Sequence, residues 1–76
     1  MKEMLEALVK SLVDFPDKVS VTEVPSDKFT TLELRVDPSD MGKIIGRQGR
    51  IIRSIRTLMK AYATKANKKL NVEVVE

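Results

Sequence analysis

The chain has 76 residues, enough for one thin hydrophobic core but too few for a deep, enclosed active site. It contains no cysteine and no histidine, which excludes disulfide frameworks, thiolate chemistry, the usual zinc ligands and the Ser-His or Cys-His nucleophile pairs. An enzyme built on this chain would have to work with carboxylates, lysines and hydroxyls alone. We therefore expect no catalytic residue, no metal and no cofactor.

The charge is divided unevenly along the chain. Residues 1–40 carry five basic and nine acidic side chains, a net charge of −4, whereas residues 41–76 carry nine basic and two acidic ones, a net charge of +7. No acid occurs between Met41 and Val72. This asymmetry favours a polyanionic partner for the second half, the alternative being a solvated face whose charge is incidental.

The sequence indicates neither export nor a membrane location. Its first residues include the acid Glu3 and lack a long apolar block, so they do not resemble a signal peptide. No stretch approaches the ~18 apolar residues of a membrane span. We expect a cytoplasmic protein with no membrane contact.

The first half of the chain predicts one helix and a hairpin. Residues 2–14 have one apolar stripe at helical spacing, formed by Met4, Leu5, Leu8, Val9 and Leu12. Pro16 disfavours helix at the residue before it, so the helix should end there. Residues 18–24 and 29–37 read as two strands joined by a turn at residues 25–28. Pro38 ends the second strand, and Ser39 or Asp40 is expected to cap a short helix that runs to Ile45.

The second half predicts two helices and a last strand. Gly46 and Gly49 interrupt the short helix, and a longer one follows over residues 50–67. Residues 70–76 alternate as a third strand. The longer helix has a basic stripe opposite its apolar face; the stripe is Arg53, Arg56 and Lys60, and the apolar face is Ile51, Ile52, Ile55, Leu58, Met59, Tyr62 and Ala66. The order α-β-β-α-α-β predicts an α+β fold, a three-stranded sheet with three helices packed on one face, in a single domain spanning residues 1–76.

The segment from Gly46 to Gly49 carries the clearest chemical signal. Glycine permits positive φ and leaves no side chain in the way of an approaching backbone. The amides that open the following helix point outward at the positive end of its dipole, which suits phosphate oxygens. Arg47 and Arg50 add positive charge beside those amides, and Gln48 adds a neutral donor and acceptor. Lys43, just before the loop, is a further candidate contact.

Other glycine motifs fit poorly. The three glycines, Gly42, Gly46 and Gly49, match neither the spacing of a P-loop nor that of a dinucleotide-binding fingerprint. The sequence also predicts no parallel βαβ unit around them. The apolar residues on both sides of the loop make the motif more specific than two glycines alone.

Residues 45–52, Ile-Gly-Arg-Gln-Gly-Arg-Ile-Ile, fit the KH signature IGxxGxxI, and the element order resembles the type II arrangement. The chain is similar to small bacterial stand-alone KH proteins of the KhpA type. That resemblance implies that Gly46 to Gly49 grip an RNA backbone. It also implies that Ile45 and Ile52 line a groove for about four nucleotides, with Val36 on the far wall. The expected RNA-binding set is Val36, Lys43, Ile45, Gly46, Arg47, Gln48, Gly49, Arg50, Ile52 and Arg53.

We expect the lysines and the aromatic residues outside the loop to have structural roles. Lys65, Lys68 and Lys69 lie near a helix end, where cations complement the dipole. The three aromatic residues, Phe15, Phe29 and Tyr62, are expected in or at the edge of the core. With no exposed aromatic to stack on bases, RRM and OB modules are disfavoured and modest affinity is expected.

Two functional hypotheses follow. The first is a non-catalytic protein that binds single-stranded RNA, with single-stranded DNA as an alternative ligand. The resemblance implies an RNA chaperone or post-transcriptional regulator linked to cell-envelope growth and division. The second is an assembly or adaptor protein, acting as a homodimer or as a heterodimer with a larger KH-containing protein of the Jag type. Pairing two grooves would raise avidity through effective concentration.

Overall fold

In the computed structural model, residues 1–75 are described, Arg47 by its backbone alone. Helix α1 (Lys2–Lys10) is followed by a 3₁₀ turn at Pro16–Lys18 and the strands β1 (Ser20–Pro25) and β2 (Thr30–Arg35). The long helical segment α2 (Pro38–Lys65) then leads to β3 (Leu70–Val74). The predicted end of the last strand at Glu76 lies outside the described residues.

Two consecutive residues interrupt α2. Gln48 has a φ of 61° and Gly49 a φ of 70°, both in the left-handed region. Left-handed residues cannot continue a right-handed helix, so α2 consists of an N-terminal arm (residues 38–47) and a C-terminal arm (residues 50–65). With the two arms counted separately, the predicted order α-β-β-α-α-β is confirmed.

The sheet has the strand order β1-β2-β3. Strands β1 and β2 form the predicted hairpin and pair antiparallel, with Val21 opposite Leu34. Strand β3 pairs parallel to β2, with Val72 beside Leu32. A parallel neighbour requires a crossover connection, which α2 supplies. The prediction that no parallel βαβ unit surrounds the glycines is therefore wrong, because β2, α2 and β3 form one.

The core lies between one face of the sheet and the helices. Helix α1 contributes Leu5 and Val9, and the N-terminal arm of α2 contributes Ile44. Val19, just before β1, also belongs to the core. The remaining core residues come from the C-terminal arm and the strands: Ile52, Ile55, Met59, Ala63, Val21, Leu32, Leu34, Leu70 and Val72. This confirms the α+β architecture with the helices on one face.

The buried stripe of the C-terminal arm differs from the predicted one. It runs through Ile52, Ile55, Met59 and Ala63, whereas Leu58 and Tyr62 are 51% and 41% exposed. The prediction for the aromatic residues is wrong as well, because Phe15 and Phe29 are 49% and 44% exposed. The physical reason is the small size of the core. Aliphatic side chains from the helices and the sheet fill it without a large ring.

A buried carboxylate ends the first helical region earlier than predicted. Asp40, only 1% exposed, accepts hydrogen bonds from the backbone N–H groups of Asp14 and Phe15 at 3.1 and 3.0 Å. Bonds of this kind to a charged group contribute roughly 1.5–3 kcal/mol each. They draw residues 14–15 toward the start of α2, so α1 ends at Lys10 instead of residue 14.

The cap of α2 also differs from the predicted Ser39 or Asp40. Asp37 is the N-cap residue, and Pro38 occupies the first helical position, where its missing N–H costs nothing. The Ser39 hydroxyl and backbone N–H donate to the Asp37 carboxylate at 2.6 and 2.9 Å. These two hydrogen bonds hold the pKa of Asp37 below its usual value. Within the described chain, no helix combines the length and apolarity required to cross a bilayer.

Candidate functional site

The turn between the two arms of α2 is the centre of the candidate site. Gln48 adopts a left-handed conformation that costs a non-glycine residue roughly 1 kcal/mol or more, and the adjacent Gly49 adopts it freely. The strain is confined to one residue because glycine takes the second position. The turn predicted at residues 46–49 is therefore present, and its left-handed residues are the third and fourth of the motif.

The backbone conformation requires a glycine at position 49 but not at position 46. Its φ lies outside the left-handed region, and a Cβ added to it would meet no atom within 4 Å. Glycine in a helix costs roughly 0.5–1 kcal/mol relative to alanine. Nothing inside the described structure offsets that cost at Gly46. The same is true of Gly42, one turn earlier.

Arg53 braces the turn from the C-terminal arm. Its guanidinium donates a hydrogen bond to the backbone carbonyl of Gln48, which fixes one side of the left-handed turn. The Arg53 side chain is otherwise exposed. It thus combines a structural contact, which the sequence did not indicate, with the positive charge beside the loop that placed it in the expected RNA-binding set.

Arg56, from the same predicted stripe, contacts the edge of the sheet. Its Nε donates to the Val72 carbonyl at 3.0 Å. Because β3 is an edge strand, this carbonyl has no strand partner, and the guanidinium covers part of the edge. The prediction of one uniform basic stripe missed this division of roles.

Lys43 has a partner that its sequence position did not indicate. Its Nζ lies 2.7 Å from a carboxylate oxygen of Asp14, and both side chains are partly exposed. Exposed ion pairs contribute only about 0.2–1 kcal/mol, so a phosphate can compete for this lysine. The pairing depends on Asp40, which holds the backbone of residue 14 close to the N-terminal arm.

The two isoleucines predicted to line a groove are in different environments. Ile45 is 46% exposed beside the loop, whereas Ile52 is 6% exposed and belongs to the core. A Cβ on Gly49 would lie 3.5 Å from Cγ2 of Ile52, so Ile52 packs directly beneath the turn. Ile45 thus offers apolar surface, and Ile52 supports the loop from below.

The remaining predicted site residues are less closely connected to the turn. Arg50 is exposed on the first turn of the C-terminal arm, and Gln48 is exposed on the loop itself. Val36 lies between β2 and α2, half-buried against the core, and no described contact joins it to the loop. The side chain of Arg47 lies outside the described part of the chain. The structure therefore brings together residues 45–50 and Arg53.

A second feature could not be predicted from the sequence, because the buried face of the C-terminal arm is rotated about the helix axis relative to the predicted face. An apolar hollow lies between α1 and the C-terminal arm, with Leu12 41% and Leu58 51% exposed on its rim. Arg50 lies at the end of this hollow nearest the loop. We call this surface the α1–α2 hollow; it is lined by Leu8, Leu12, Arg50, Ile51, Ser54, Ile55 and Leu58.

Comparison with known proteins gives concordant matches. The chain matches the family model described as KhpA/KhpB, KH domain, over residues 2–74. A protein of Clostridium acetobutylicum is 55% identical over 75 residues, covering 99% of this chain and 100% of the relative. One from Borreliella burgdorferi is 51% identical over 74 residues, covering 97% and 90%. One from Aquifex aeolicus is 46% identical over 76 residues, covering 100% and 96%.

Each of these three relatives bears the name RNA-binding protein KhpA. No solved structure gave a significant match.

The glycines give a first testable prediction. Gly46→Ala and Gly42→Ala should each raise the free energy of unfolding by about 0.4–1 kcal/mol, because alanine restricts the unfolded chain and fits the folded backbone. Gly49→Ala should lower it by about 1 kcal/mol or more, because its φ is positive. Urea denaturation of the three variants measures these changes. Destabilisation by Gly46→Ala as large as that by Gly49→Ala would contradict the described loop.

Proposed function

Because the chain belongs to the KhpA/KhpB KH domain family, we propose that it binds single-stranded RNA without catalysing a reaction. In this proposal residues 1–76 act as one KH domain, and the turn at residues 46–49 grips the RNA backbone. The proposed ligand is supported by the family and by the relatives' shared name.

The observation that carries the proposal is the open space around Gly46. A glycine at position 46 weakens the helix, and no other part of the described structure comes close enough to require one there. A ligand backbone that must pass at the surface of residue 46 explains the absence of a side chain. Gly49 has its own explanation in its positive φ, so it carries less weight.

The surroundings of the turn suit a chain of phosphates. Arg50 and Arg53 are exposed beside it, and the sequence from Met41 to Val72 contains no acid. The amides of the first turn of the C-terminal arm add the positive end of a helix dipole. Ile45 supplies an exposed apolar surface against which a base can rest. This chemistry favours backbone contact with weak base selection.

The cellular role in this proposal is that of an RNA chaperone or post-transcriptional regulator in the cytoplasm, linked to cell-envelope growth and division. The support for this part is the resemblance to the small KhpA-type proteins. Single-stranded DNA is the alternative ligand, since a grip on phosphates does not require a 2′-hydroxyl. Competition between RNA and DNA of equal sequence separates the two.

Replacement of both central loop residues tests the proposed grip. Arg47→Asp with Gln48→Asp should weaken RNA binding at least tenfold, because two carboxylates repel phosphate. Aspartate tolerates the left-handed conformation of residue 48, so the fold should persist. The matched control is Arg47→Asn with Gln48→Asn, which has the same shape without the negative charge. Fluorescence anisotropy with a short single-stranded RNA measures the affinities.

The neutral control should retain more affinity than the acidic variant. Equal binding by the acidic variant and the parent, with both variants folded by circular dichroism, would mean that the loop is not the binding site.

The α1–α2 hollow favours a second candidate function, assembly with another KH protein. Its exposed leucines form an apolar surface on the helical side of the molecule. In this alternative a second copy of the chain, or a larger KH-containing protein of the Jag type, covers the hollow. Because none of the loop residues 46–49 lines the hollow, and Arg50 is the one candidate site residue that does, assembly and RNA binding are compatible.

Sedimentation over a concentration series tests this alternative. Leu58→Gln should shift the monomer–dimer equilibrium toward monomer by at least tenfold, because it removes the most exposed apolar side chain of the hollow. Met4→Gln, a comparably exposed helical position that does not line the hollow, is the control and should leave the equilibrium unchanged. A parent protein that stays monomeric at high concentration would contradict self-association.

A further inference from the structure

The end of the sheet farthest from the loop has a surface that the proposed function leaves unused. Four residues of the β1–β2 turn and three that follow α2 line one shallow hollow there. The turn residues and the strand residue after them are Ser26, Asp27, Lys28, Phe29 and Thr30, and the others are Asn67, Lys68 and Lys69. We call this surface the hairpin-end patch.

The patch combines an exposed ring with unpaired positive charge. Phe29 is 44% exposed. Among the residues that the structure describes, Lys28, Lys68 and Lys69 form no ion pair. Asp27 is the one acid that lines the hollow, so lysines outnumber acids there by three to one. An exposed aromatic side chain in basic surroundings is the combination that single-stranded nucleic acids bind, by base stacking and phosphate contact.

The backbone on both sides of the patch is fixed. The amide and hydroxyl of Ser26 both donate to the Phe29 carbonyl, at 2.9 and 2.7 Å, which closes the turn that presents the ring. The backbone N–H of Thr30 donates to the carbonyl of Lys69 at 3.0 Å, which joins the turn to the lysine segment. The backbone segments that carry the ring and the lysines are therefore held together before any ligand binds.

The lysine segment is held by the way α2 ends. Asn67 adopts a left-handed φ of 61°, and its N–H donates to Thr64. The N–H of Lys68 donates back to Ala63 at 2.8 Å, which completes a Schellman motif. This motif turns the chain sharply from the helix into β3, so that Lys68 and Lys69 face the hollow at the turn. Their position beyond the helix end leaves them available for more than dipole stabilisation.

We propose that the hairpin-end patch is a second contact for the same RNA strand, with Phe29 stacking on a base and the lysines neutralising phosphates. This inference rests on the proposed function. The C-terminal arm separates the patch from the loop by about 16 residues, or roughly 24 Å. At ~3.4 Å per stacked nucleotide, about seven nucleotides span that distance. A four-nucleotide RNA that fills the groove therefore cannot reach Phe29, whereas a strand of about 12 nucleotides can.

The dependence on RNA length provides the test. The parent should bind an unstructured RNA of about 12 nucleotides more tightly than one of about four. Phe29→Ala should weaken binding of the longer RNA by about 5-fold to 150-fold and leave the shorter one unchanged, since only the longer strand stacks on the ring. Phe29→Tyr, which keeps the ring, should restore the affinity, and Phe29→Leu should not. Phe15→Ala, at a comparably exposed aromatic residue outside the patch, is the control.

The lysines have a separate signature in the salt dependence. Lys68→Gln with Lys69→Gln should reduce the slope of log affinity against log salt by about 1.4 for the longer RNA, at ~0.7 per phosphate contact. An unchanged slope, or equal binding of the longer RNA by Phe29→Ala and the parent, would overturn the inference and leave the proposed function intact. Failure of the parent to bind either RNA would instead refute the proposed function. Altered sedimentation of the patch variants with unchanged RNA affinity would assign the patch to protein contact and also overturn the inference.

Discussion

The left-handed pair Gln48–Gly49 is the constraint on which the rest of the structure depends. A straight helix of 28 residues would be roughly 42 Å long, but the longest dimension of the molecule is 34 Å. The break allows both arms of α2 to reach the same face of the sheet, so that Ile44 on one side and Ile52 on the other enter one core. The turn that forms the candidate site is thus also the turn that makes the fold compact.

The backbone of the candidate loop is held from two sides. Ile52 packs beneath Gly49, and the Arg53 guanidinium holds the carbonyl of Gln48. The backbone is therefore positioned before a ligand arrives, which reduces the ordering cost of binding. Gly46 and Gly42 contribute to neither the turn conformation nor the packing, and of these two only Gly46 lies in the loop. The structure thus separates a glycine required by the fold from one whose explanation lies outside it.

Much of the architecture was predictable because its signals are local. The alternation in β2, the turn at residues 25–28 and the glycine pair each act over a few residues, and all three features are present. The end of α1 was not predictable, because it depends on Asp40, whose hydrogen bonds to residues 14 and 15 span 26 and 25 positions. The partner of Lys43 was missed for the same reason, since Asp14 reaches it only after that long-range contact forms.

The sequence also does not show which apolar side chains are exposed. A helical wheel gives the angular spread of apolar residues but not which part of it faces the core. The C-terminal arm is rotated so that Ala63 is buried and Leu58 is exposed. Likewise, the apolar character of Phe29 does not reveal that it is 44% exposed beside a closed turn. Both surfaces, the α1–α2 hollow and the hairpin-end patch, therefore emerged only from the three-dimensional structure.

The most direct test of the account compares RNA binding by Gly46→Ala with that by Gly42→Ala. Both substitutions add one methyl group to a helical glycine with open space around it, and only residue 46 lies in the loop. We expect Gly46→Ala to bind single-stranded RNA at least tenfold more weakly than the parent while remaining fully folded, and Gly42→Ala to bind like the parent. Parental affinity in Gly46→Ala would contradict the claim that an RNA backbone passes over this glycine.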